Sequence, residues 1–261
     1  MANVMDGRKI LISGVRNKWS IAWAAAESLH REGATLAFSV FGDREEGGVK
    51  KLLAEAGYDA PIFQCDATND EQAEALFANV GEAFEGKLDG FLHGIAFAGR
   101  EDLSGEFVKT GKEGFTLAHE SSVYTLVSLS RFARPLLQAA GGGSIVTLTY
   151  LGAERAIPNY NVMGVAKAAL EASVRYLASD LGKENIRVNA ISAGPIKTLA
   201  ASGIANFDAM RKSVGEASPF GRPVDVEEVG DACLFLFSPW SRGITGEVIY
   251  VDGGYNIIAT S

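Results

Sequence analysis

Three residues with proton chemistry fall close together in the stretch TYLGAERAIPNYNVMGVAK: Tyr150, Tyr160 and Lys167. A tyrosine hydroxyl is a neutral donor at pH 7, with an ordinary pKa near about 10. A lysine cation beside it favours the phenolate and makes the tyrosine a better acid. The step from Tyr160 to Lys167 is nearly two helical turns, so both side chains leave the same face, roughly 10 Å apart along the axis. Gly164, one turn beyond Tyr160, leaves room on that face for something to pack. The same residues also suit a core pair of tyrosines and a solvated lysine, and this stretch alone does not separate the two readings.

A second signal lies near the start, where the apolar run Lys9-Ile10-Leu11-Ile12 leads into SGVRNKWSIAWA, Ser13 to Ala24. A strand running into a helix is the setting of a dinucleotide-binding turn, which normally carries G-x-G-x-x-G. Here Gly14 stands alone, followed by the bulky insert Val15-Arg16-Asn17-Lys18-Trp19. A helix N-terminus offers unpaired N–H groups and a partial positive charge, so phosphate binding does not need every glycine. On this reading Gly14 gives close backbone approach, Ser20 caps the helix, and the Ser20 and Ile21 amides face a pyrophosphate. The plainer reading is a Gly–Ser turn with no ligand. Asp66, in QCDAT, suits an adenine amino group and a turn equally well. His93, inside the apolar FLHGIAFAG, reads as a satisfied core histidine. No spacing resembles a metal site, and no G-x-S-x-G elbow supports a serine hydrolase.

These residues need elements to position them. Apolar runs at 9–13, 35–40, 61–65, 88–96, 144–151, 187–192 and 247–252 read as strands, mostly continuous in character, as parallel strands buried on both faces are. Helical patterns fall between them: SIAWAAAESLHREG, NDEQAEALFANVGEAF, SSVYTLVSLSRFARPLLQAA, NVMGVAKAALEASVRYLASDLG and DVEEVGDACLFLFS. Alternating strands and helices imply a doubly wound parallel sheet. With no repeat and no linker, the 261 residues are expected to form one domain, 1–261, least regular at 197–219. In such a sheet ligands bind beyond the carboxyl ends of the strands. Residues 14–21, 41–44, 65–67, 94–98, 150–151 and 194–200 then line one crevice.

Composition narrows the function classes. The net charge of −8 argues against nucleic acid as the main partner, since phosphate binding needs basic surface. Two cysteines, Cys65 and Cys233, do not make a disulfide framework. No apolar run reaches the roughly 18 residues of a membrane span, and the first nine residues lack a signal-peptide core. A cytoplasmic location is expected.

Taken together the motifs resemble the short-chain dehydrogenase/reductase superfamily, and within it the bacterial enoyl-acyl carrier protein reductases. The resemblance runs from Gly7 to about Asn256, through G-x5-S-I-A at Gly14–Ala22, CDAT at 65–68, HGIAFA at 93–98, GGSIVTLTYLG at 142–152, NYNVMGVAKAAL at 159–170, IRVNAISAGPIKTLAASGI at 186–204 and GITGEVIYVDGGY at 243–255. Carbonyl-reducing members carry Y-x-x-x-K with a serine about a dozen residues earlier. Here Gly164 stands four after Tyr160, the lysine comes at seven, and Thr147 stands thirteen before. Y-x6-K with Tyr150 ten residues upstream is the enoyl reductase pattern, for a C=C conjugated to a thioester.

The resemblance implies an α/β, Rossmann-type doubly wound sheet of seven parallel strands with helices on both faces. It assigns Tyr160 to the enolate oxygen, Lys167 to the nicotinamide ribose, and Tyr150 to the acyl group. It assigns Gly14, Ser20, Ile21, Asp66, Ala67, Ile95, Lys167 and the run Ile196, Lys197, Thr198, Leu199 and Ala200 to the cofactor, Ala98 to substrate, and 197–219 to a substrate-binding loop and helix. Phe41 offers an adenine shelf. The expected cofactor is NADH, with NADPH open, because Asp43 and Arg44 after the second strand give no clean signal. The resemblance further implies acyl carrier protein as partner and a homotetramer. Two positions depart from the pattern. Gly94 replaces a small side chain, which is expected to loosen its turn. The helix after the loop, ANFDAMRK, carries Asp208 among its bases, which leaves the carrier-protein contact open, with Lys197, Arg211 and Lys212 nearby.

Overall fold

The structure is a computed structural model and describes residues 3–198 and 206–259. Its sheet contains β1 (Lys9–Ser13), β2 (Thr35–Val40), β3 (Ile62–Gln64), β4 (Gly90–His93), β5 (Gly143–Thr149), β6 (Ile186–Ala193) and β7 (Val248–Val251). All pairings are parallel, and the order is β3-β2-β1-β4-β5-β6-β7. The chain starts one strand from the centre, winds outward to β3, then returns across β1 to the central strand, β4. The strand order reverses between β1 and β4, and in such sheets ligands bind beyond the carboxyl ends at the reversal.

Each strand feeds two cores, because successive side chains point to opposite faces. On one face Ile10, Ile12, Phe38, Leu92, Val146 and Ile191 pack under α1 (Ile21–Arg31), α2 (Asp43–Ala56) and α8 (Val226–Phe237). On the other, Leu11, Ala37, Phe91, Ile145 and Val188 pack under α3 (Asp70–Ala83), α5 (Thr125–Ala139) and α6 (Asn161–Leu181). This double burial is why the strands read as unbroken apolar runs.

Helix ends follow local chemistry. Asn69 caps α3 through a bond from the Gln72 amide at 3.0 Å. Asp225 and Glu228 form a reciprocal capping box at the start of α8. Two helices lie outside the sequence reading. The first, α2, has an acidic opening turn and ends at Gly57 in the left-handed region, φ 78°. The second, α4 (Lys112–His119), runs through a π turn at Glu120–Tyr124 straight into α5. Strand 88–96 is shorter than expected: after His93 the chain leaves the sheet at Gly94. The expected irregular stretch 197–219 contains α7 (Phe207–Ala217). No described helix is long and apolar enough to cross a membrane.

Candidate active site

At the end of β1 the chain turns through Gly14 at φ +93°. A Cβ on Gly14 would lie 2.1 Å from the Gly94 carbonyl oxygen, and one on Gly94 would lie 2.6 Å from the Ser13 carbonyl oxygen. The Gly94 amide donates to that Ser13 oxygen at 3.2 Å. Two glycines thus let the ends of β1 and β4 close on one another. The expectation that Gly94 loosens its turn is corrected: the missing side chain is what allows the close contact. Beside this pair the Ser13 hydroxyl is buried with no hydrogen-bond partner among the described residues.

Ser20 serves the loop, not the helix as expected. Its Oγ accepts the Arg16 and Asn17 amides at 3.0 and 3.1 Å, folding the insert back on itself, and it makes no side-chain bond to α1. Its own amide donates to the Asn17 carbonyl at 3.0 Å and cannot also face a phosphate. The first donors of α1 with no side-chain cap are therefore Ile21 and Ala22. Ala22 escaped the sequence reading because only the direction of the Ser20 side chain reveals it. A glycine cradle at a strand end, an uncapped helix N-terminus and an orphaned hydroxyl fit the pyrophosphate of a dinucleotide.

The remaining cofactor candidates follow the carboxyl ends of β2, β3, β4 and β6. Phe41, just beyond β2, is 69% exposed, as a shelf for a flat ring requires. Arg16 pairs with Glu45 at 3.3 Å, and the first turn of α2 also carries Asp43 and Glu46. Asp66 follows β3, where its Oδ1 accepts the Thr68 amide and hydroxyl at 3.0 and 2.7 Å, a turn role, and Ala67 beside it is buried. Ile95 follows β4, half-buried against the α3/α5/α6 core. Ile196 is buried beyond β6, and the Thr198 amide donates to its carbonyl at 2.8 Å. Lys197 pairs with Asp208 at 2.9 Å. Leu199 and Ala200, with the rest of the expected loop up to 205, lie outside the described residues.

Tyr150 follows β5, while Tyr160 is the N-cap of α6, set by two asparagines at positive φ, Asn159 and Asn161. The two rings meet edge-on, centroids 5.1 Å apart at 75°. The room left by Gly164 and Gly152 is filled by each other's surroundings: a Cβ on Gly164 would lie 2.8 Å from the Gly152 carbonyl oxygen, and one on Gly152 2.4 Å from the Tyr160 ring. Tyr160 also packs with Ala98 against Val162, Met163 and Ala166. The segment 94–98 therefore spans from the glycine cradle to the tyrosine pair.

Lys167 is buried, and its Nζ donates to the Leu148 carbonyl at 2.7 Å. Burial lowers its pKa to about 8, opposed by the charge of Glu171. Burial also raises Tyr160 and carries Tyr150 up to about 12. The expectation that the lysine draws Tyr160 toward phenolate is corrected in this respect: desolvation dominates, and both tyrosines hold their protons at neutral pH. His93 is the core histidine expected, with Nδ1 2.9 Å from Thr147 Oγ1 and Nε2 2.9 Å from Thr125 Oγ1. Burial lowers its pKa to about 3, so it stays neutral. No group of three or more metal-ligating side chains occurs among the described residues.

Comparison with known proteins adds to this geometry. The family described as Enoyl-(Acyl carrier protein) reductase matches residues 14–256. The chain is similar to the Bacillus subtilis protein named Enoyl-(acyl-carrier-protein) reductase (NADH) FabI, 53% identical over 256 residues covering 98% of each chain. It is also similar to the Escherichia coli protein of that name, 48% identical over 98% of this chain and 96% of that one. Among solved structures, the Bacillus cereus enoyl-acyl carrier protein reductase with NADP+ and indole naphthyridinone superposes at a TM-score of 0.95, with 48% identity over 99% of this chain and all of that one. The Anaplasma phagocytophilum enzyme in complex with NAD gives 0.94, with 40% identity over 100% and 98%.

Proposed function

The chain belongs to the enoyl-(acyl carrier protein) reductase family, and we propose that it reduces the double bond of a trans-2-enoyl thioester in type II fatty acid elongation. The observation that carries this reading is the edge-on pair of Tyr150 and Tyr160, with Tyr160 seven residues ahead of buried Lys167, joined by segment 94–98 to the Gly14 cradle. The preferred cofactor is NADH: a 2′-phosphate beyond β2 would meet Asp43, Glu45 and Glu46, and Glu45 already occupies Arg16.

Bound cofactor supplies the hydride that adds to C3 of the enoyl group. Negative charge then gathers on the thioester oxygen, where the Tyr160 hydroxyl donates. A preorganised donor aimed at that atom acts most strongly in the transition state. Because burial raises Tyr160, its proton stays in place until the enolate forms. Tyr150 sits beside the acyl group as a second contact, and Ala98 lines the chain. Lys167 would hold the nicotinamide ribose and orient the ring, and Ile21, Ala22, Gly14, Asp66, Ala67, Ile95 and 196–200 are the residues that would hold the rest. The stretch 197–219, of which 199–205 lie outside the described residues, is assigned to the substrate side, where closure would exclude water.

Acyl carrier protein delivers the substrate. The bases nearest the loop are each matched by an acid: Lys197 by Asp208, Arg211 by Asp225 at 3.9 Å, and Lys212 by Glu216 at 3.7 Å. The carrier must therefore displace these partners or dock elsewhere. We place the enzyme in the cytoplasm as a homotetramer, in keeping with exposed Phe115, Leu117, Tyr124 and Ile257; sedimentation measures the assembly. The deciding test follows reduced-cofactor absorbance with crotonyl thioester, then a 3-oxoacyl thioester, each with NADH and NADPH. Turnover of the enoyl compound with NADH is expected. Turnover of the oxo compound alone, or tight cofactor binding with no turnover, overturns the reading.

A further inference from the structure

Glu171 is a buried carboxyl with no part in the reaction as derived above. It lies one helical turn beyond Lys167 on α6 and is 7% exposed. Its Oε1 accepts the Thr149 hydroxyl at 2.7 Å, while the neighbouring residue of β5, Leu148, offers its carbonyl to Lys167 Nζ at 2.7 Å. Two adjacent residues at one strand end thus hold an ammonium and a carboxyl, and these come from positions i and i+4 of one helix, which share a face. We propose that Glu171 is the counter-charge that keeps Lys167 cationic inside the fold, a positioning residue that acts on the bound dinucleotide through the lysine. The proposal rests on the reading of Lys167 as a cofactor residue.

The surroundings leave Glu171 in this role. From β4, His93 faces Lys167 but is neutral and offers no counter-charge. Glu171 is faced by Lys167 and Arg175 from α6, by Glu154 from the turn after β5, and by Tyr250 from β7. Glu154 repels the Glu171 charge, while its carboxylate also accepts the Tyr250 hydroxyl. Burial drives Lys167 down and Glu171 up, so each is pushed toward its neutral form and each favours the other's charge. Their ionisation belongs to the pair. A charged lysine makes charge-assisted bonds to ribose hydroxyls, roughly twice as strong as neutral ones, and attracts the dinucleotide phosphates.

Glu171→Gln keeps the size and the bond from Thr149 but removes the charge. NADH affinity is titrated on the full chain by nucleotide fluorescence from pH 6 to 10, with crotonyl thioester turnover in parallel and thermal unfolding as a check of folding. The basic limb of the affinity profile is expected to move down by about one pH unit. The charged fraction near pH 8 then drops from about half to about one tenth, so affinity falls roughly fivefold there and stays within about twofold at pH 6. Glu171→Asp is expected to restore most of the limb. An unmoved limb, or an equal loss at every pH, overturns the proposal. If Glu171→Gln does not fold, Thr149→Val carries the test: loss of the hydroxyl that favours the Glu171 charge moves the limb the same way, and an unmoved limb again overturns it. A wild-type chain that binds NADH but turns over no enoyl thioester overturns the functional reading separately, since the binding titration does not depend on turnover.

Discussion

Replacing Gly14 by alanine tests whether the cofactor turn is held by backbone packed on backbone. The added Cβ would meet the Gly94 carbonyl oxygen at 2.1 Å and its carbon at 2.5 Å. Ordinary contact needs more than about 3.3 Å, so one backbone segment must retreat by about 1 Å. An L-residue at φ +93° adds about 1–2 kcal/mol of strain before any clash. Together these are expected to cost about 2–4 kcal/mol, or roughly 5–10 °C in Tm for a chain of this size. Function should suffer more than stability. A retreat of about 1 Å at a positioning loop can cost about a hundredfold in rate, so kcat/KM for NADH is expected to fall about a hundredfold. Gly47→Ala is the control: it lies within α2 with nothing within 4 Å of the added Cβ. It is expected to gain up to about 1 kcal/mol and leave kcat/KM unchanged. Differential scanning calorimetry and steady-state assays of both variants give the answer. Unchanged Tm and NADH kinetics in Gly14→Ala would refute the packing argument.

Three further outcomes follow from the site. Tyr160→Phe should lower kcat with crotonyl thioester by about 10²–10³-fold while NADH affinity stays within about twofold, and Lys167→Ala should weaken NADH binding first; equal loss of binding in both contradicts the assigned roles. Ser20→Ala removes the acceptor of the Arg16 and Asn17 amides and should cost about 1–2 kcal/mol, with a larger rise in KM for NADH than for the thioester; denaturant titration and kinetics check it. His93 has a folded pKa of about 3 against about 6.5 unfolded, so the unfolded chain takes up the proton first. Its contribution is complete above pH 6.5 and is lost as pH falls from there through 3, about 2 kcal/mol of it between pH 7 and 5. Urea midpoints at those two pH values, for wild type and His93→Gln, should show the slope shrink in the variant.

The strands were legible because a parallel strand covered on both faces must be apolar on both, and Ile10-Leu11-Ile12 or Ile145-Val146 cannot suit an amphipathic surface. Where the reading overran, the extra apolar residues have another task. Ile95 lies beyond β4 and packs against the α3/α5/α6 core instead of pairing in the sheet. The helix α2 was missed because Gly47-Gly48 interrupts its middle and only Val49, Leu52 and Leu53 are buried. Its acids at 43–46 and the left-handed Gly57 were the available signals. The stretch α4 was missed for the opposite reason: it merges through a π turn into a helix whose apolar pattern is much stronger.

The chemistry at the end of β5 divides along the same line between what spacing and what burial determines. Spacing puts Tyr160 at the start of α6 and Lys167 two turns along it, and that was readable from Y-x6-K; the edge-on contact of Tyr150 with Tyr160 comes from the fold. The charge each carries depends on how much water its surroundings exclude, and no spacing encodes that. The lysine–tyrosine argument from sequence took only the lysine charge into account and not the burial of either group. Inside the protein the Leu148 carbonyl takes the ammonium, desolvation lowers it to about 8, and the same desolvation holds both phenols neutral. A cation so close to its own pKa needs a partner, and the sequence does contain one: Glu171, an acid on the i+4 position of an otherwise apolar helix face. An acid placed there is costly unless paired. Its presence one turn from a lysine, read with burial in mind, is the signal that the two charges belong together.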